Sequence, residues 1–225
     1  MNNLALIGSN YFPTLADPNW RIVGAADFNS DNRTDLVWRN FSTGQNVVWY
    51  LNGTAMIGAG YLASVADLNW AVEGIADFNA DGRPDIVWHN HATGRIVLWF
   101  MNGVVTTSSA EVGTVPNLSW HPVLAADFNN DGQTDLFWRN SSTGQNVFWR
   151  MFGTAQTGAF YIPTLDTAWK GVAVGDYNGD GRVDIFWHNA STGQTAVWFI
   201  NNFTSPGQQS SITLSNLAWK GAGPR

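Results

Sequence analysis

Cysteine is absent from the 225 residues, so neither a disulfide framework nor a thiolate metal site is available to hold this chain together. Charge is scarce as well. Only 12% of residues are Asp, Glu, Lys or Arg, which argues against long solvated helices and against disorder, and no basic patch marks a nucleic-acid partner. No apolar run reaches the roughly 18 residues of a membrane-spanning helix. The first residues, MNNLALIGSNYF, lack the basic flank and apolar stretch of an export signal, so any such signal is expected to have been removed or never included. Present instead are 23 glycines and 14% aromatic residues, a balance suited to short, tightly turned strands. The class expected is all-β.

The strongest feature is internal repetition. AADFNSDNRTDLVWRN at 25–40 returns as IADFNADGRPDIVWHN at 75–90, AADFNNDGQTDLFWRN at 125–140 and VGDYNGDGRVDIFWHN at 174–189, with periods of 50, 50 and 49. All 13 tryptophans fall into register. Trp20, Trp70, Trp120, Trp169 and Trp219 open one segment; Trp38, Trp88, Trp138 and Trp187 close a second; Trp49, Trp99, Trp149 and Trp198 lie in a third.

Each unit divides at its turn signals into four short strands, A to D. In the second copy A is WAVEGIADF, B is DIVWHN and C is RIVLWF, with the weaker D strand in AMIGAGYL or VVTTSSAEV. Strands B and C are apolar at nearly every position, so both of their faces must be covered. Blades of a β-propeller meet that demand, because each small antiparallel sheet packs between two neighbours. The sequence therefore predicts one propeller domain over 1–225. Its repeats are framed at 5–54, 55–104, 105–154 and 155–203, with a partial fifth at 204–225. Residues 4–15 read as a D strand and 214–223 as an A strand left over at the ends. A four-blade ring closed by the N-terminal strand, and a segment of a longer or multi-chain propeller, both fit that count.

Chemistry concentrates in the loop after strand A. Each copy spells DxNxDGxxD or a near match: Asp27, Asn29, Asp31 and Asp35; Asp77, Asn79, Asp81 and Asp85; Asp127, Asn129, Asp131 and Asp135; Asp176, Asn178, Asp180 and Asp184. Oxygen ligands at positions 1, 3 and 5, with glycine turning the backbone at 6, suit a hard seven-coordinate cation, namely Ca2+. Position 7 (Arg33, Arg83, Gln133, Arg182) is expected to offer its backbone carbonyl. Asn32 replaces the glycine in the first copy, a substitution asparagine tolerates because it visits positive φ readily. Twelve of the 17 acidic residues lie in these loops, so four bound Ca2+ would change the formal charge from −6 to about +2.

With these motifs in place, the chain resembles the FG-GAP or VCBS repeats of integrin-type propellers. The resemblance covers essentially the whole chain and implies a Ca2+ loop between strands A and B of each blade. It also implies a ring of usually seven blades, occurrence in secreted bacterial proteins, and kinship with a fungal lectin that binds sugars. Extracellular, millimolar calcium would fill such loops, so a secreted or cell-surface setting is expected; the lack of cysteine is compatible with a bacterial source.

Two functions follow as expectations: a multivalent glycan-binding module, and a structural spacer or adhesion repeat whose partner is a cell-surface protein. For the first, the opposite rim collects Trp20, Trp70, Trp120 and Trp169 with the hairpin pairs Arg39-Asn40, His89-Asn90, Arg139-Asn140 and His188-Asn189, donors suited to a hydroxyl-rich ligand. Catalysis is not expected. Outside the loops only Asp17, Asp67, Glu73, Glu111 and Asp166 are acidic, and three of these alternate with Asn117 and Asn216 as turn formers. His91 and His121 have no histidine counterpart in other copies, so the spacing implies no triad and no zinc cluster.

Overall fold

The computed structural model describes residues 12, 13 and 15–213, with side chains to Ser205. It contains sixteen strands: β1 Trp20–Ala26, β2 Asp35–Asn40, β3 Asn46–Asn52, β4 Ala55–Leu62, β5 Trp70–Ala76, β6 Asp85–Asn90, β7 Arg95–Asn102, β8 Val105–Thr114, β9 Trp120–Ala126, β10 Asp135–Asn140, β11 Asn146–Phe152, β12 Ala155–Ile162, β13 Trp169–Gly175, β14 Asp184–Asn189, β15 Gln194–Asn201 and β16 Thr204–Thr213. They form four antiparallel four-stranded sheets, each built from four consecutive strands in sequence order. These are the blades of a four-blade β-propeller. Among the described residues no helix is long and apolar enough to cross a membrane.

Blades therefore run A-B-C-D, one strand out of phase with a repeat framed from strand D. The fourth strand of blade 4 is β16, antiparallel to β15, where the sequence reading considers the N-terminal strand. The segments read as leftover strands at 4–15 and 214–223 lie largely or wholly outside the described residues.

Apolar runs in strands B and C are explained by packing on both faces. Val37 of blade 1 shares a buried cluster with Ile86 and Trp88 of blade 2. Val87 does the same with Leu136 and Trp138, and Phe137 with Ile185 and Trp187. The B strands of blades 2 and 3 thus meet the preceding blade on one face and the next blade on the other. Successive A strands β1, β5, β9 and β13 are neighbours on one side of the arc. The last face differs. Phe28, Phe78 and Phe128 are 2–3% exposed, while their equivalent Tyr177 on blade 4 is 45% exposed, and among the described residues no buried cluster joins blade 4 to blade 1.

Every A strand carries a β-bulge at the same place. Register shifts at Ile22/Gly24, Val72/Gly74, Pro122/Leu124 and Gly171/Ala173 leave Val23, Glu73, Val123 and Val172 unpaired. A bulge re-aims the side chain it inserts, and three of the four are valine.

Candidate functional site

The A–B loops are assembled from the inside of each turn. Position 1 gathers backbone donors: Asp27 Oδ1 accepts from Asp31 N at 3.2 Å and Oδ2 from Asn32 N at 2.7 Å, a pattern repeated by Asp77, Asp127 and Asp176. Asn29 Oδ1 accepts from Asp31 N at 3.0 Å, and Asp31 Oδ1 from Arg33 N at 2.9 Å. The chain thereby winds around the side chains of positions 1, 3 and 5, with all of them turned toward one another. Such winding needs two left-handed residues. Asn32 has φ 63°, as its replacement of glycine predicts, and Gly82, Gly132 and Gly181 lie at 79–81°. Position 4 is left-handed too, in Ser30, Ala80, Asn130 and Gly179; the sequence reading missed this, although Asn130 and Gly179 were its signal.

Position 9 behaves differently from the exposed loop. Asp35, Asp85, Asp135 and Asp184 are all 0% exposed. Each ties the loop to strand C of its own blade: Asp35 Oδ2 accepts from Phe28 N at 3.0 Å and Oδ1 from Leu51 N at 3.0 Å, and the other three repeat both bonds. Burial, reinforced by the neighbouring carboxylates of positions 5 and 1, raises the Asp85 carboxyl and pushes Asp135 up to about 7. A protein carboxyl held there is one that a nearby cation would return to its charged form. The donor set fits Ca2+, since hard oxygens converge from four positions of one turn.

At position 7 the side chain itself reaches into the loop. The guanidinium of Arg33 reaches Asp31 Oδ2 at 3.5 Å, with Arg83–Asp81 at 3.9 Å and Arg182–Asp180 at 3.8 Å. In the third copy Gln133 turns back on the Gly132 carbonyl instead.

On the hairpin rim the structure corrects the sequence. Arg39, Asn40, His89, Asn90, Arg139, Asn140, His188 and Asn189 are between 0 and 6% exposed, so these side chains are not presented to a ligand. The polar atoms of the arginines and asparagines serve the hairpins. Asn40 Oδ1 accepts from Ser42 N and Thr43 N while its Nδ2 donates to Asp17 Oδ2 at 2.8 Å. Asn90, Asn140 and Asn189 hold their turns in the same way. Arg39 donates to Gly44 O, Asn46 Oδ1 and Val65 O, and Arg139 to Gly144 O, Asn146 Oδ1, Leu165 O and Asp166 O. Gly44 sits at φ 74° with its Cα against the Val65 carbonyl, where any side chain would collide. Trp20, Trp70, Trp120 and Trp169 are half-buried against the core, Trp70 under the Arg95 guanidinium and Trp120 edge-on to Tyr161. Asp17, Asp67, Asn117 and Asp166 each accept the backbone N–H two residues on, the turn role read from their exchange of acid for amide.

The histidines need a second correction. His89, His91 and His121, spread over two blades, meet with Glu73 at the junction of blades 2 and 3. Ring centroids lie 5.1 Å apart for His89–His91, 4.9 Å for His91–His121 and 5.7 Å for His89–His121. His91 Nε2 is 2.5 Å from Glu73 Oε1. Burial pushes Glu73 up to about 7 and His89 down to about 3 and lowers His121, while the bond to Glu73 raises His91. Linear spacing gave no sign of this group, because the blade junction brings Glu73 and His121, 48 positions apart, to the neighbouring pair His89 and His91.

Solved structures resemble the chain loosely. A dihydro-heme d1 dehydrogenase, NirN, aligns with 86% of this chain and 38% of its own at 11% identity and TM-score 0.46. The V. cholerae biofilm matrix protein Bap1 aligns with 88% of this chain and 32% of its own at 17% identity and TM-score 0.37. A nidogen/laminin complex covers 77% of this chain and 92% of its own at 11% identity and TM-score 0.28. The chain thus spans about a third of the length of the first two. No curated protein matches it significantly. The FG-GAP-like repeat family, however, matches three overlapping times, over residues 27–88, 77–138 and 127–187, each match running from one A–B loop into the next B strand. On that register of loops and blades, the chain belongs to the FG-GAP-like repeat family.

Proposed function

We propose that this chain is a Ca2+-stabilised, non-catalytic propeller module of an extracellular protein, acting as a structural or adhesion scaffold with one Ca2+ in each A–B loop. The observation that carries this reading is the position-9 aspartate, wholly buried in all four blades beside further carboxylates. A cation bound there offsets their mutual repulsion and fastens the loop to strand C through the same carboxylate. Millimolar extracellular calcium suits loops whose remaining ligands are exposed.

Four sites, each about 2.7 kcal/mol at 100 times the dissociation constant, stabilise the fold by on the order of 10 kcal/mol if unfolding is cooperative. That matches the whole stability of an ordinary domain. Excess EDTA should therefore lower the melting temperature steeply and Mg2+ should restore it poorly, because Mg2+ demands tighter octahedral geometry. A melting curve indifferent to EDTA refutes the proposal.

Multivalent glycan binding is the second reading. With the hairpin arginines and asparagines engaged internally and His89 and His188 buried, it rests on the half-buried Trp20, Trp70, Trp120 and Trp169 alone. A glycan array probed in Ca2+ decides it: sugar binding lost in Trp70→Ala and Trp120→Ala supports a rim lectin, and a blank array leaves the scaffold reading.

A further inference from the structure

Repetition provides an internal control for each blade junction. At the junction of blades 1 and 2, the bulge residue, the B-strand residue, the hairpin residue and the facing A-strand residue are Val23, Arg39, Phe41 and Ala71. Between blades 3 and 4 they are Val123, Arg139, Ser141 and Lys170. Between blades 2 and 3 all four change at once, to Glu73, His89, His91 and His121. A single buried carboxylate replacing a bulge valine would cost several kcal/mol uncompensated; here it arrives with three imidazoles in reach.

The junction also loses what the others use. Arg39 and Arg139 cross to the following linker through Val65 O or through Leu165 O and Asp166 O. His89 is 0% exposed and neither of its ring nitrogens has a hydrogen-bond partner, nor has Nδ1 of His121. Buried nitrogens without partners are costly and uncommon. One ligand atom from each of the four residues lies within 4.8 Å of the others.

We propose that Glu73, His89, His91 and His121 bind one first-row transition-metal dication of the zinc class, clamping blade 2 to blade 3 where the other junctions use arginine. Neutral imidazole is the preferred donor for such ions, and four-coordinate nitrogen and carboxylate sets are ordinary for structural zinc. Bonds of 2.0–2.1 Å require ligand atoms about 3.4 Å apart in a tetrahedron, so side-chain rotations closing the set by about 1 Å complete the site. Glu73 either ligates directly or accepts the His91 Nε2 proton and directs Nδ1 at the ion, the carboxylate–histidine arrangement that fixes a ligand's tautomer. The site is unlike the A–B loops in donor type, burial and rim, so Ca2+ does not compete for it.

The test uses the full chain in excess Ca2+, which keeps the loops filled and separates this site from the calcium reading. Titration with Co2+ should give the visible absorption of a four-coordinate ion, saturating at one per chain and displaced by Zn2+, with Zn2+ also raising the melting temperature. His121→Ala should abolish the band, and Glu73→Gln should weaken binding by about 10–100-fold. The combined change Glu73→Val, His89→Arg, His91→Ser and His121→Lys installs the junction that blades 3 and 4 already use; it should keep the fold and its Ca2+ dependence while losing the Co2+ band. The proposal is overturned if the parent chain takes up no stoichiometric Co2+, leaving a buried histidine–glutamate network, or if the band survives in the combined variant, which puts the ion elsewhere. Should that variant not fold, His121→Ala and His91→Ala decide the same question: a band lost in both supports the site, and a band kept in both overturns it.

Discussion

The two rims of this propeller use the same residue types in opposite ways. On the A–B rim, Asp and Asn side chains turn toward one another and concentrate negative charge, stabilised in part by exposed arginines at 3.5–3.9 Å. On the hairpin rim, Asp and Asn side chains cap backbone N–H groups, and buried arginines take up the carbonyls, so little polar capacity is left over. One rim is left with gathered negative charge; the other satisfies itself except at the imidazoles of the junction between blades 2 and 3. Recurrence of a polar residue in every blade therefore does not by itself mark a binding site: Asn40 and Asn29 recur equally, and only the second belongs to a group with unneutralised charge.

The sharpest way to break this contrast is to attack the hairpin rim. Arg139→Ala leaves the Leu165 carbonyl and the Asn146 amide oxygen without this donor, at about 1–3 kcal/mol for each buried group not rescued by water, while the Gly144 and Asp166 carbonyls keep the N–H groups of Leu165 and Trp169. A loss of about 4 kcal/mol is expected in denaturant melts, the same in Ca2+ and in EDTA. A loss that depends on calcium would couple the rims and end the distinction.

A smaller effect should separate the position-9 aspartates by pH. Folded Asp135 holds its proton up to about pH 7, against 3.8 for an ordinary carboxyl. Its metal-free contribution is therefore fully present below about pH 4 and lost as pH rises through 7. Relative to the parent, Asp135→Asn should gain stability in EDTA from pH 4 to 8, and should lose to it throughout in Ca2+, where the charged carboxylate is wanted. Taking the difference between variants cancels the other titrating groups, which both chains share. Parallel curves in both media would show that no cation acts on Asp135.

The smallest expected effect is Ala80→Gly. Ala80 sits at φ 59°, a conformation that costs a residue with a Cβ about 1 kcal/mol. Glycine, already present at the equivalent Gly179, should recover about that amount in the loop, and a melt with no gain would mean the turn relaxes on binding its ion.

Much of this was legible in the sequence, for a physical reason: repetition sets out what each blade needs. The four strands, the two covered faces of strands B and C, the tight winding of the A–B loops and the turn role of Asp17 and Asp67 all followed from positions that recur. What failed was whatever depends on direction or on neighbouring blades. Arg39 and Asn40 look identical whether they point at solvent or at the next linker, and the burial of their atoms is decided by Gly44 and Val65, 5 and 26 residues away. The histidine cluster escaped because recurrence cannot reveal it; its signal was a simultaneous departure from the repeat at four touching positions. The bulge at Glu73, which turns that side chain toward the junction, leaves no mark in the linear pattern.

Each blade is drawn from one unbroken stretch of chain, with strands paired in the order in which they occur. The consequence concerns time more than equilibrium. Hairpins form between near neighbours, so loop closures are short and the barrier to organising a blade stays low for an all-β protein. A nascent chain has the whole of blade 1 available once residue 62 has emerged, long before its last strand is made, and each finished blade offers its exposed apolar face as a template for the next. Calcium would be captured one turn at a time, ratcheting assembly from the first blade to the last. Pulsed hydrogen exchange during refolding should then reveal protection spreading in steps of one blade, starting wherever two adjacent units first meet.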